Sequence, residues 1–445
     1  TNTTVVDLQN KFTINGLLDL ADGELVLSSG RLRLNDDAQI NDTLSPKGNG
    51  VTFGAGTTQT IGGATSQTLD TGSTIVTKSG TVASFEKVPG EILRVTSLTL
   101  QSGTEMSLGR PLKISGNFKN DGGSFSFKDI NSKTITFDGG SSTKQTIDSS
   151  SDITLQNMVV ASTRSISLSP PDIEDLDGSK ISVRNKLTMT SGRLATNGDL
   201  TLESGARVIY SSGNGGDGLS ELDSYITDNI RLERTLRGSS DWIFLAPSVN
   251  TTYNELLTDS GPDINDLWIQ GPDGSDVPDA SLANTNLLYY DESATGTEDD
   301  GWTTVGVESV DGNTFTGGGS ISSTVPQGLG MIIYPFKDDD FDGTVQTAEQ
   351  FPKTIDAVGG TNFEPTTDLP IQVTDGDGDN DYTDGDGWNL VGNPYLNVID
   401  WDALSKSASL EGTVYVYDSG NDGYLSYNGT ENDNLSKDFE AFGHI

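Results

Sequence analysis

The residues best suited to chemistry in this chain are carboxylates at alternate positions. Residues 338–349 read DDDFDGTVQTAE. With Asp338 at position 1 of a calcium loop, Asp340 falls at 3, Asp342 at 5, Gly343 at 6, Thr344 at 7 and Glu349 at 12. This is the full D-x-D-x-D-G-x5-E pattern. Alternate carboxylates converge on one ion, the glycine makes the sharp turn, Thr344 offers its carbonyl, and Glu349 closes the shell with both oxygens. A second run, DGDGDNDYTDGD, places Asp375, Asp377, Asp379, Asp381, Asp384 and Asp386 in one short stretch. Asn380 stands there where the loop glycine belongs, and Asp386 where the glutamate belongs. Asparagine tolerates the left-handed backbone that such a turn needs. So many like charges together cost free energy unless a cation neutralises them. The alternative for both runs is a solvated acidic loop. DSGNDG at Asp418–Gly423 and EDDG at Glu298–Gly301 are weaker still, and the loop PPDIEDLDG, with Asp172, Glu174, Asp175 and Asp177, reads as a solvated turn.

Other chemistries are thinly supplied. The 445 residues include no cysteine, which removes thiol catalysis, disulfides and cysteine metal sites. The one histidine, His444, is next to the last residue, so histidine-based triads and histidine metal clusters have no material. Acidic residues number 65 against 26 basic, a net charge of −39. Such a surface repels nucleic acid and anionic membranes and favours divalent cations with oxygen ligands. It also suits a salty habitat, which is compatible with calcium. No run of about 18 apolar residues spans a membrane. No secretory signal is read at Thr1, as expected for a mature chain.

The elements that position these groups divide the chain in two. Residues 1–220 hold 19 basic and 23 acidic side chains, or 19 − 23 = −4, whereas residues 221–445 hold 7 and 42, or 7 − 42 = −35. All five tryptophans (Trp242, Trp268, Trp302, Trp388 and Trp401) lie in the second part. The glycine-rich stretch Ser211–Gly218 marks the expected boundary, giving domains 1–215 and 216–445.

The first part repeats itself. L-x-[LM]-x-S-G occurs at Leu25–Gly30, Leu98–Gly103, Leu187–Gly192 and Leu200–Gly205. VTFGAGTTQTI at Val51–Ile61 returns as ITFDGGSSTKQTI at Ile135–Ile147, with Phe53 and Phe137 84 residues apart. That spacing points to a larger unit of about this length. Alternation over four to six residues predicts strands with one buried face. Self-similar short strands that cannot bury their apolar face alone predict stacking. Residues 1 to about 210 are therefore expected to form a parallel β-helix or β-solenoid, with a hairpin sandwich as the alternative.

The second part has longer, more aromatic strands: DWIFLAP, NLLYYDE, GMIIYPF, GWNLVGNP and GTVYVYD. An antiparallel β-sandwich with acidic loops is expected. Short helices are expected near Leu256, Leu257, Leu267 and Trp268, and over Trp401–Leu404.

These segments resemble the large secreted surface proteins of Bacteroidetes-type bacteria exported by the type IX pathway. DWIFLAPSVNTTYNELL (Asp241–Leu257) resembles their "rFLssPv…tY.dLl", and DLWIQGPDGSD (Asp266–Asp276) their "LWtQG..GsD". NLLYYDES with the later GW (Asn286–Ser293, Gly301–Trp302) resembles "NvyyYdE…GW". QGLGMIIYPFKDDD (Gln327–Asp340) resembles "pGkGfliyvfgDrd". GWNLVGNPYLNVIDWDAL (Gly387–Leu404) resembles "GWNLvGNPYpstIDWda", the most specific of these. The repeats of the first part resemble the solenoid units that precede this module. The resemblance implies export to the cell surface or medium and a role in adhesion, matrix or surface layers, and it brings no catalytic motif. The family's usual C-terminal sorting domain is not read in the chain, so a processed product or fragment is expected.

The expected protein is thus all-β, extracellular and non-enzymatic. It is a structural or adhesive surface protein stabilised by Ca2+, with other copies of itself or other surface proteins as partners. Open strand edges at a solenoid's ends favour head-to-tail assembly into a filament or layer. The alternative is a carbohydrate-binding or polysaccharide-active secreted protein. In that case Trp302, Trp388 or Trp401 would stack on sugars and a carboxylate pair would serve glycoside hydrolysis.

Overall fold

A computed structural model describes residues 5–210 apart from 22–23, 29, 42, 46–49, 63–68, 87–91, 129–132, 140–144, 163–165 and 170–180. Beyond them it describes 225–236, 242–252, 287–291, 301–304, 306–307, 315–316, 324–325, 327–335, 351–360, 388–394, 399–403, 413–418, 423–427 and 438–439. Two compact units are present, Thr1–Ile230 and Arg231–Ile445. The first runs past the glycine-rich stretch 211–218, because Tyr225–Thr227 still pairs in parallel with Arg193–Ala195.

The first unit is a parallel β-solenoid whose early coils have three faces. On face 1, Val5–Asp7, Glu24–Val26 and Thr43–Ser45 pair in order. The run resumes with Leu69–Asp70, Leu93–Val95, Leu112–Ile114 and Thr134–Phe137. Face 2 is a ten-stranded sheet from Phe12–Ile14 to Tyr225–Thr227. Face 3 has six strands, from Leu18–Leu20 to Ser124–Phe127. Among the described residues the strands of these faces pair in parallel, as expected when successive coils run in one direction.

Alternation sets the facing. Ser97–Gln101 turns Leu98 and Leu100 inward and Thr99 outward. The inward residues then align from coil to coil: Leu93, Leu112, Ile135, Met158 and Leu187 are register partners in succession, all buried. Each such side chain contributes roughly 1.5–3 kcal/mol on leaving water. Phenylalanines join the stack, with Phe53 edge-on to Phe85 at 5.7 Å and Phe118 tilted on Phe137 at 6.4 Å between ring centroids.

The recurring S-G pair closes a corner. Gly103 has φ 68°, and its N–H donates to Gly122 O at 3.1 Å while its carbonyl accepts from Gly80 N at 2.8 Å. A side chain there would be strained by the left-handed backbone and would meet Ser79 Oγ at 2.6 Å. At the equivalent place in the first copy, Gly30 leaves no room at all, since an added Cβ would lie 2.0 Å from Asn10 O.

The second recurring fragment is a side-chain staple. Gln59 is fully buried, and its Nε2 donates to Leu34 O (2.9 Å) and Asp36 O (3.0 Å) of the preceding coil. Its Oε1 accepts from Gly54 N (2.9 Å) and Ala55 N (3.2 Å). Gln145 repeats this, donating to Ile114 O (2.9 Å) and Gly116 O (2.6 Å) and accepting from Gly139 N (3.1 Å). The two copies occupy different corners: Phe53 is on face 2, whereas Phe137 is on face 1. Following face 2 upward, Phe53 pairs with Val76, then Leu100, Asn120 and Ser149. Four coils therefore take 149 − 53 = 96 residues. The 84-residue spacing is four coils less one face, so it marks a reused corner and not a repeating unit.

Polar stacking continues upward. Asn120 Nδ2 donates to Ser149 Oγ (3.1 Å) and Ser151 Oγ (3.0 Å). Thr196 Oγ1 donates to Thr227 O (2.9 Å) or Asn229 O (2.6 Å). In the same region the strands lengthen. Ile153–Ala161 pairs with Ile181–Ser191, with register breaks between Leu155 and Asn157 and between Val160 and Ala161. Ile181–Ser191 in turn pairs with both Leu200–Leu202 and Arg207–Tyr210.

Among its described residues the second unit holds short antiparallel pieces besides the eight-residue strand Lys353–Gly360. A four-stranded sheet has the order Ile243–Leu245, Met331–Ile333, Leu287–Tyr290, Trp302–Thr304. Two-stranded pairs are formed by Thr251–Thr252 with Thr324–Val325 and by Val414–Asp418 with Gly423–Tyr427. A partly buried ion pair joins Arg231 to Asp356, and burial lowers the Arg234 guanidinium from its ordinary value. Trp401–Ala403 forms one 3-10 turn where a short helix was expected. The helix expected near residues 256–268 lies outside the described residues.

Candidate functional site

The predicted calcium ligands Asp338, Asp340, Asp342, Thr344 and Glu349, and the second set Asp375, Asp377, Asp379, Asp381 and Asp386, lie outside the described residues. What frames them is described. Residues 338–349 run between the buried strand Met331–Ile333 and the strand Lys353–Gly360. Residues 375–386 lead into Trp388. Among the described residues, no group of three or more metal-ligating side chains converges.

In sequence, the acidic runs adjoin segments that meet at a tightly packed junction. Gly330 N donates to Leu390 O at 3.1 Å, Gly392 N to Gly328 O at 3.0 Å, and Leu329 bridges Val391. A Cβ on Gly392 would lie 2.1 Å from Ala246 Cβ, and one on Gly359 would lie 1.9 Å from Asn250 O. Polar side chains satisfy the buried backbone around them. Ser248 Oγ donates to Asn393 O at 2.9 Å, Gln327 Nε2 donates to Pro394 O, and Asn250 Oδ1 accepts from Gln327 N at 3.0 Å. Ala246–Asn250, Gln327–Gly330 and Leu390–Pro394 thus meet in one place. Each belongs to a segment on which the sequence resemblance rests. The glycines in those segments are explained by close backbone approach, which needs no ligand.

The aromatic residues separate into two groups. Trp401 is buried, and beside it Tyr427 Oη donates to Asp402 Oδ2 at 2.7 Å. Trp302 is half-buried and edge-on to Tyr290 at 5.2 Å. Trp242 and Trp388 are exposed, the first against Tyr334 at 5.7 Å and the second against Tyr415 at 5.2 Å. Of the tryptophans read as sugar-stacking candidates, Trp388 is therefore the accessible one and Trp401 is core. Tyr415 was not singled out in the sequence. Its signal is the alternation V-Y-V-Y over residues 414–417, which sets Tyr415 apart from Val414 and Val416.

The fold defines an all-β protein containing a parallel β-solenoid. No family model, curated protein or solved structure matches the chain.

Proposed function

We propose that this is a non-enzymatic extracellular structural or adhesive protein of the cell surface, exported by the type IX route. In this reading the solenoid is a spacer. Residues 231–445 form an antiparallel sandwich stiffened by Ca2+ at Asp338, Asp340, Asp342, Thr344 and Glu349, with a second site over Asp375–Asp386. The observation that carries the reading is a layer of one-sided strands in the solenoid. Among the described residues, Val5–Asp7, Phe12–Ile14 and Leu18–Leu20 each pair on one side only. Val5, Val6, Phe12 and Leu17 are 54%, 50%, 50% and 59% exposed there. Parallel strands paired on one side only, with apolar side chains, are a template for another strand layer; in the proposed assembly a second copy of this chain is that layer.

Sizing of the full chain across a concentration series tests the assembly. The wild type is expected to associate as concentration rises. The Val6→Lys, Phe12→Lys double variant is expected to stay monomeric with a nearly unchanged melting temperature, because both side chains are already half in water. A wild type that stays monomeric at every concentration, or a variant that associates equally well, would overturn the reading.

A further inference from the structure

Trp388 and Tyr415 leave two large rings in water. They are 43% and 45% exposed, with centroids 5.2 Å apart and planes tilted by 54°. Tyr415 sits in the hairpin Val414–Asp418/Gly423–Tyr427, opposite Ser426. Val414 and Val416 are half-buried and Tyr427 is buried, so the hairpin has an apolar side and Tyr415 is on the other. Trp388 precedes Leu390, whose carbonyl is fixed by Gly330 N–H, and Val391, which bridges Leu329. Both rings are therefore held by backbone that is itself pinned. Phe53, Phe85, Phe118 and Phe137 of the solenoid, by contrast, are all buried.

We propose that Trp388 and Tyr415 form a stacking platform for a neutral, β-linked polysaccharide. The flat face of an equatorially substituted sugar presents C–H bonds of slight positive charge, which match the negative face of an aromatic ring. Two rings inclined to one another follow successive sugars of a chain that twists; a flat crystalline surface would need them coplanar. Charge narrows the class further. Residues 231–445 hold 7 basic and 39 acidic side chains, or 7 − 39 = −32, so uronate-rich and sulfated glycans are repelled. A protein partner is disfavoured by size, since a stable interface covers about 800 Å² on each side and this platform is two rings. The inference uses a different unit and a different observation from the assembly edge, so either can fail without the other.

Affinity electrophoresis of the full chain in gels containing hydroxyethyl cellulose, laminarin or polygalacturonate tests the platform, with calorimetric titration of cellohexaose alongside. Retardation by a neutral glucan and not by polygalacturonate is expected. Trp388→Ala and Tyr415→Ala are each expected to weaken binding at least about tenfold with the melting temperature unchanged. Tyr415→Phe keeps binding, because stacking needs the ring and not the hydroxyl. Should Trp388→Ala lower the melting temperature, the Tyr415 pair of variants carries the test. No retardation by either neutral glucan, alanine variants that bind as the wild type does, or preference for polygalacturonate would each overturn the proposal.

Discussion

In the solenoid, Leu93, Leu112, Ile135, Met158 and Leu187 lie in register on successive coils, and each coil is covered by the next. In residues 231–445 close packing depends on single contacts between distant segments: Gly392 on Ala246, Gly359 on Asn250 and Gly330 on Leu390. The charge differs as sharply, −4 over residues 1–220 against −35 over 221–445. A stack spreads its stability over many equivalent neighbours, so one poor coil is supported from both sides. A glycine-packed junction concentrates its stability at positions where one added methyl collides with backbone or with a neighbouring Cβ. The acidic unit also carries repulsion that the solenoid does not, which makes its folding the more sensitive to cations.

The sharpest test of this contrast is a solenoid position that is not interchangeable. Gln59→Leu removes the side-chain partner of Leu34 O, Asp36 O, Gly54 N and Ala55 N together, leaving Gly54 N and Leu34 O only their 3.3 Å bond to each other. A loss of about 3–4 kcal/mol is expected in urea unfolding. A loss below about 1 kcal/mol would mean that water reaches the corner and that apolar stacking alone holds the coils.

Calcium should separate the units next. At a hundredfold excess over its dissociation constant, an ion bound only to the folded state adds about 2.7 kcal/mol. That is a rise of roughly 5–10 °C for a unit of this size. The transition of residues 231–445 is expected to shift and that of the solenoid to stay. An Asp340→Ala, Asp342→Ala double variant is expected to abolish the shift. If scanning calorimetry gives no shift in millimolar calcium, the acidic loops are solvated turns and adaptation to salt becomes the better account of the charge.

The smallest expected effect is alkaline. Burial pushes the Tyr210 phenol well above its ordinary value. With the folded-state value raised above the unfolded value of about 10, the neutral phenol's contribution is intact below pH 10. It is lost as pH climbs from there towards the folded-state value. By pH 11 the loss is about 1 kcal/mol. Tyr210→Phe should remove this part of the pH dependence, and identical slopes for the two proteins would show that the phenol ionises freely.

Much of the solenoid was legible because alternation and left-handed corners leave local marks. Leu98–Gly103 encodes a strand facing inward at Leu98 and Leu100 and a corner at Gly103, all within six residues. Coil length was not legible, because corners absorb insertions without disturbing the faces. The 84-residue spacing misled for that reason, matching corners that sit one face apart. The QTI fragment was visible as a repeat, but its role was not. A glutamine reads as exposed until a partner coil supplies two carbonyls to it. In the second unit, V-Y-V-Y named a strand without saying that Tyr415 would stand beside Trp388, which is 27 residues earlier. The calcium pattern is complete as a pattern, and its ligands fall outside the described residues.

The corners have one further consequence. Along face 2 the step between register partners is 51 − 32 = 19 residues from Leu32 to Val51, and 225 − 193 = 32 from Arg193 to Tyr225. The rise per step is nonetheless fixed by the spacing between neighbouring strands. Ten strands give nine such steps, or about 43 Å at roughly 4.8 Å each. The column is a ruler graduated in coils. Residues added at a corner thicken it locally and leave its length unchanged; only a whole new coil lengthens it, by one fixed increment.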